Sequence, residues 1–158
     1  MKKILTVLGF GLLAATAAYA QPAVGCMDRA IRIQAEQAKQ NFIKQGMKVF
    51  KEAMIGMEPN TPYPIAVQLD KGELYQVVYV GSLSATKIRF ELLDGKDKII
   101  DERVLDRPVE NNMVVYSFVP EKSDIYMLML TQKVKKPTCG SIAIFKKEKE
   151  EQAPAEKK

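Results

Sequence analysis

The sequence predicts a mainly β domain: an antiparallel β-sandwich, jelly-roll or Ig-like, of about seven strands, with one long N-terminal helix packed on the outer face of one sheet. Three observations lead there. Residues 65–146 break into short apolar runs separated by turn residues, the pattern of a sandwich. Residues 27–57 instead carry apolar side chains at helical spacing. Finally, two of the short runs are apolar on both faces, so something outside the sheet must cover them.

Before these elements comes an export signal. Lys2 and Lys3 precede an apolar stretch from Ile4 to Ala18, and Ala18-Tyr19-Ala20 offers the small residues that signal peptidase requires. The stretch is shorter than the roughly 20 residues that span a bilayer. Residues 1–20 therefore read as a cleaved signal peptide, residues 21–146 as the folded domain and residues 147–158 as a disordered charged tail. The chain is expected in the periplasm or outside the cell, with no transmembrane segment after cleavage.

The helix is expected over residues 27–57. Ile31, Ala35, Ala38, Phe42, Val49 and Ala53 form one apolar row, and Ile43, Met47, Phe50, Met54 and Met57 a second. The stripe is thus broader in its second half, which should pack harder. Gly46 weakens the middle, and Gly56 with Pro59 ends the element. Met47, Met54 and Met57 fit either a core-facing stripe or an adaptable partner surface. A membrane-surface helix is disfavoured by Glu36 and Glu52 on the polar face.

The strands are expected at Ile65–Leu69, Leu74–Val80, Lys87–Leu93, Lys98–Val104, Met113–Val119, Ile125–Lys133 and Ser141–Lys146. Ile88, Phe90 and Leu92 alternate with Lys87, Arg89 and Glu91, giving one dry and one wet face. Leu74–Val80 and Ile125–Leu130 are apolar on both faces, which places the broad half of the helix, with Phe50 and Met54, on the outside of the sheet that holds them both.

Composition narrows function mainly by exclusion. The chain has 24 Lys and Arg against 19 Asp and Glu; without Lys2 and Lys3 this leaves 22 against 19, a net +3 with both signs interspersed. That does not describe a nucleic-acid interface. There is no His and no Trp, which removes His-based nucleophilic catalysis, common Zn sites and the best sugar-stacking platform. Ser117, Ser123 and Ser141 have no base in view. Asp94, Asp97 and Asp101 crowd one turn, but Lys96 and Lys98 between them suit a hairpin better than a Ca²⁺ loop. No catalytic residue, cofactor or metal is assigned.

The two cysteines, Cys26 and Cys139, read as a disulfide in an exported chain. The alternatives are a lipid-anchored envelope protein, with Cys26 acylated in the lipobox-like Ala23-Val24-Gly25-Cys26, or two free thiols. Among function classes, a non-enzymatic binding or structural module acting on another envelope or secreted protein stands first, and a glycosidase-like hydrolase with carboxylates converging in the fold stands second.

Three segments also carry a family likeness. Val67-Gln68-Leu69-Asp70-Lys71-Gly72-Glu73-Leu74-Tyr75-Gln76-Val77, Phe90-Glu91-Leu92-Leu93-Asp94-Gly95, and Tyr116-Ser117-Phe118-Val119-Pro120 leading to Asp124-Ile125-Tyr126-Met127-Leu128 together resemble the pre-peptidase C-terminal type of secreted bacterial β-sandwich. The resemblance covers about residues 65–145 and implies a non-catalytic accessory module. It supplies no site residues.

Overall fold

The computed structural model describes residues 26–106 and 112–147. The signal segment, residues 107–111 and the tail beyond Lys147 lie outside the described residues. One helix, α1 (Arg29–Lys44), is followed by β1 (Met47–Met57), β2 (Tyr63–Leu69), β3 (Tyr75–Val80), β4 (Lys87–Leu93), β5 (Ile99–Asp106), β6 (Met113–Phe118), β7 (Asp124–Lys133) and β8 (Thr138–Lys147). They form two antiparallel sheets, β1-β8-β3-β6 and β2-β7-β4-β5. Strand pairs β1·β8, β2·β7, β3·β6 and β4·β5 are those of one long hairpin rolled up, which is the jelly-roll solution of the sandwich.

The expected helix over 27–57 is corrected at its midpoint. Asp28 caps α1 by accepting the amides of Ala30 (2.9 Å) and Ile31 (3.1 Å). Gly46 ends it with φ +78°, a left-handed conformation that favours glycine. Residues 47–57 are then an edge strand, not a second helical half. Its pairing with β8 shifts register between Val49 and Lys51, so Phe50 is bulged out and the two halves of β1 face opposite ways. Met47 packs under the helix, while Ile55 and Met57 enter the sandwich core. A strand that changes face midway places its apolar residues at intervals close to those of a helix.

The packing partner is corrected as well. β3 and β7, expected in one sheet, lie in different sheets. The helix packs on β8, β1 and β3, with Ala38 and Phe42 meeting Val78 and Phe145; the Phe42 and Phe145 rings are 5.1 Å apart. It is the narrow first half that docks. Phe50, expected buried, is 44% exposed and meets Tyr75 edge to face, with ring centroids 5.5 Å apart. Between the sheets, Phe90, Leu92, Tyr126, Leu128, Leu130 and Ile144 form part of the main core. Lys147, expected in the tail, closes β8 and donates its amide to the Leu74 carbonyl (3.0 Å).

Candidate functional site

The jelly-roll path brings the β1–β2, β3–β4, β5–β6 and β7–β8 connections to one end of the sandwich. Loops clustered on a rigid scaffold are where sandwiches commonly carry function. Three of the four loops are described throughout, and a single buried residue ties them together through its side chain and its backbone carbonyl. Gln132, at the end of β7, is fully buried. Its Oε1 accepts the amide of Ser82 (2.7 Å), its Nε2 donates to the carbonyl of Cys139 (2.9 Å), and its own carbonyl accepts the amide of Asn60 (3.0 Å). Lys133 next to it accepts both the amide and the hydroxyl of Thr86 through its carbonyl (2.8 and 3.2 Å).

Gly81 is required for this arrangement. A Cβ there would lie 2.5 Å from Ile88 Cδ1 and 2.9 Å from Gln132 Oε1. The following turn is equally fixed: the Ser82 and Ser84 hydroxyls are 2.7 Å apart, and the Ala85 amide donates to the Ser82 carbonyl (3.1 Å). Ser82 and Ala85 are buried while Leu83 between them is 52% exposed, so a rigid turn presents one apolar side chain to solvent. The disulfide adds a further tie. Cys26 and Cys139 are bonded, with Cα atoms 5.6 Å apart, joining the segment before α1 to this same end.

Within the loop cluster lies an open cleft of about 460 Å³, floored by Val134 and Pro137, flanked by Ser84, Thr86 and Thr138, and rimmed by Lys133, Lys135 and Lys136. Among the described residues none of these three ammonium groups has a carboxylate partner. Elsewhere the lysines are often paired: Lys39 with Glu36 and Glu52, Lys87 with Asp106, and Lys146 with Asp70. The cleft thus combines an apolar floor, rigid walls and positive charge that no carboxylate among the described residues pairs.

The residues singled out from sequence go elsewhere. Met47 and Met57 are buried, on opposite sides of the sheet; Met57 Sδ accepts the hydroxyl of Tyr79 at 2.9 Å. Only Met54 reaches a surface, in a 290 Å³ groove beside Arg32, Lys39 and Glu52. The structure therefore does not gather the three methionines on one face. Asp94 Oδ1 accepts the amides of Lys96 and Lys98 at 2.9 and 3.0 Å, and these amides, Lys98 first, hold its carboxyl below the usual range. Asp101 turns to Arg103 at 3.0 Å. Ser117 accepts from Gln76 and Ser123 from the Lys71 amide. Among the described residues no three Asp, Glu, Cys or His side chains converge as a metal would need, and no helix is long and apolar enough to cross a membrane.

No family model and no curated protein matches the sequence. By fold, the chain is similar to a periplasmic inhibitor of g-type lysozyme from Aeromonas hydrophila (TM-score 0.47, 11% identity, 65% of this chain and 90% of that one). It is also similar to a chain of the disulfide-linked pili that form Bacillus endospore appendages (0.43, 8%, 64% and 88%). A further likeness is to a protein described under CBM4 structure and function (0.39, 13%, 63% and 74%). None of these is a pre-peptidase C-terminal domain, and at these scores the likenesses carry no argument about function.

Sequence reasoning passed over Lys133, Lys135 and Lys136, whose signal was the basic run ahead of Pro137, and Leu83, which follows the Gly81-Ser82 turn pair. Gln132 had no signal, because its role depends on which loops the fold brings beside it.

Proposed function

We propose that this chain is a non-enzymatic binding module of an exported compartment, and that it engages an acidic surface on another envelope or secreted protein through the β3–β4 and β7–β8 loops. The observation that carries the reading is the set of three lysines that have no carboxylate partner among the described residues, around an apolar-floored cleft on loops held by Gln132. Uncompensated charge of one sign steers an oppositely charged partner, and the fixed Leu83 supplies an apolar anchor that loses little entropy on binding. The disulfide supports export to an oxidising compartment.

A hydrolase built on carboxylates needs one acid held protonated near neutral pH. Glu36 and Asp94 shift the opposite way, Glu36 through its hydrogen bond from Lys39 and then from Gln40, Asp94 through backbone amides. Two measurements test the proposal. Purified protein in a glycan and ester hydrolysis screen should show no turnover. Immobilised protein should retain an acidic envelope protein that Lys135→Glu/Lys136→Glu fails to retain. Turnover lost on replacing a single Asp or Glu, or retention unchanged in the double variant, would refute it.

A further inference from the structure

The edge of a sheet is a row of main-chain donors and acceptors that another strand can use. Three of the four edges here are blunted or carry no charge to choose a partner. β1 has its bulge between lysines. β2 lacks an amide at Pro64, and Lys51 occupies the Ala66 carbonyl (3.2 Å). β6 bears no charged side chain. β5 differs from all three. It is the outer strand of its sheet, exposed along most of its length and free of proline. Its one bulge falls at Ile100 and leaves residues 101–106 in regular register with β4. Leu92, Phe90 and Ile88 are buried in the core, so their partners Asp101, Arg103 and Leu105 lie on the inner side, and Glu102 and Val104 on the outer. The Glu102 amide donates to the side chain of its own neighbour, Asp101 Oδ1 (2.6 Å). It therefore faces the open edge, where a local side chain stands in for a strand.

We infer that β5 pairs edge to edge with β5 of a second copy of this chain, antiparallel, about a two-fold axis at Glu102. An axis normal to the sheet keeps each face on its own side. It can oppose only residues that share a face, so it must pass at a residue and not between two. At Asp101 or at Arg103 it would oppose like charges and set Ile100 or Val104 against Glu102. At Val104 it would set Glu102 against Asp106. At Glu102 it sets Asp101 against Arg103 twice on the inner side, and brings Val104 to Ile100 at the bulge. The two Glu102 side chains then meet on the outer side, where each is already held by Arg89 of its own β4 (2.6 Å). The Glu102 backbones exchange two hydrogen bonds, as directly opposed residues do in an antiparallel ladder. Asp101 is thereby released from the amide. It keeps its own Arg103 (3.0 Å) and gains that of the second copy, so four charges alternate in sign across the joint. Charge complementarity within the strand thus selects both the partner and the register.

The test is sedimentation equilibrium of the disulfide-bonded protein up to about 100 µM, where a complex with a Kd in the micromolar range is populated. The expected mass is that of a dimer. Asp101→Arg and Arg103→Asp should each raise the dissociation constant about tenfold, and the two together should return it to within about threefold of wild type, since each cation again faces an anion. Glu102→Pro removes the amide at the axis. Proline is tolerated where the N–H of an edge strand faces solvent, so this variant should melt close to wild type and remain a monomer. If it does not fold, the charge swap alone decides. Ile125→Lys, on the outer face of β7, should leave the dimer unchanged. A monomer throughout the concentration range, a dimer that survives Glu102→Pro, or a double swap no better than either single change would overturn the inference. So would loss of the dimer in Ile125→Lys, which would move the contact from the edge to the sheet face. The readout is mass rather than partner retention, so its failure is distinct from failure of the loop-end proposal.

Discussion

Gln132 shows how one polar side chain can organise a surface it does not itself reach. Its amide satisfies the Ser82 amide and the Cys139 carbonyl in a site without water access. Gln132→Leu keeps the volume and strands both groups; leaving buried partners unsatisfied should lower stability by about 2–4 kcal/mol in chemical denaturation. Gly81→Ala, which drives a methyl into Ile88 and Gln132, should cost about 1–3 kcal/mol by overpacking. Tyr116 offers a pH test. Burial, and then the charge of and hydrogen bond to Asp101, push its hydroxyl up to about 12. The folded state therefore keeps its proton where the unfolded chain has begun to lose it. The stability this group contributes is complete below pH 10 and is lost as pH rises towards 12. Urea midpoints measured across that window should fall, and Tyr116→Phe should flatten part of the fall. Tyr79, also raised by burial, accounts for a further part. Nothing in the sequence distinguished Gln132 from other glutamines, because burial at a loop junction is a property of the assembled fold.

At the level of elements, legibility followed the regularity of the pattern. β4 alternates strictly and was readable to its ends, Lys87 and Leu93. β1 was not readable, because the bulge at Phe50 replaces period two by an irregular spacing, and the methionines and lysines around it are good helix formers. The bulge has a use: β1 is an edge strand, and a bulge flanked by Lys48 and Lys51 discourages pairing with another chain. Lys51 also reaches across to the carbonyl of Ala66 on the facing sheet (3.2 Å). The corrected register reverses an expectation about two aromatic residues. Phe42→Ala removes the ring tilted against Phe145 beneath the helix and should cost about 2–4 kcal/mol. Phe50→Ala removes an exposed ring that meets Tyr75 edge to face and should cost about 1 kcal/mol or less. Thermal melts of the two variants check the order.

For the molecule as a whole, sandwich class, outer helix and cysteine pairing could be read from residue pattern and from exclusion, whereas strand order and the loop cluster could not. The jelly-roll order pairs β1 with β8, residues so far apart in the chain that no local pattern records their meeting. The Cys26–Cys139 bond spans 113 residues; its reduction should destabilise the domain by roughly 4–5 kcal/mol in the chain-entropy model, seen as a lower unfolding midpoint with reductant than without. The same long-range closure assembles the lysine-rimmed cleft from loops separated in sequence. That cleft as the binding surface is the central claim, and photocrosslinking in intact cells tests it most directly. A photoreactive residue at position 83 should yield a discrete adduct with another envelope protein, and Lys135→Glu/Lys136→Glu should abolish that adduct while a probe at position 115 yields none. An adduct from position 115 alone, or one from position 83 that survives the charge reversal, would contradict it.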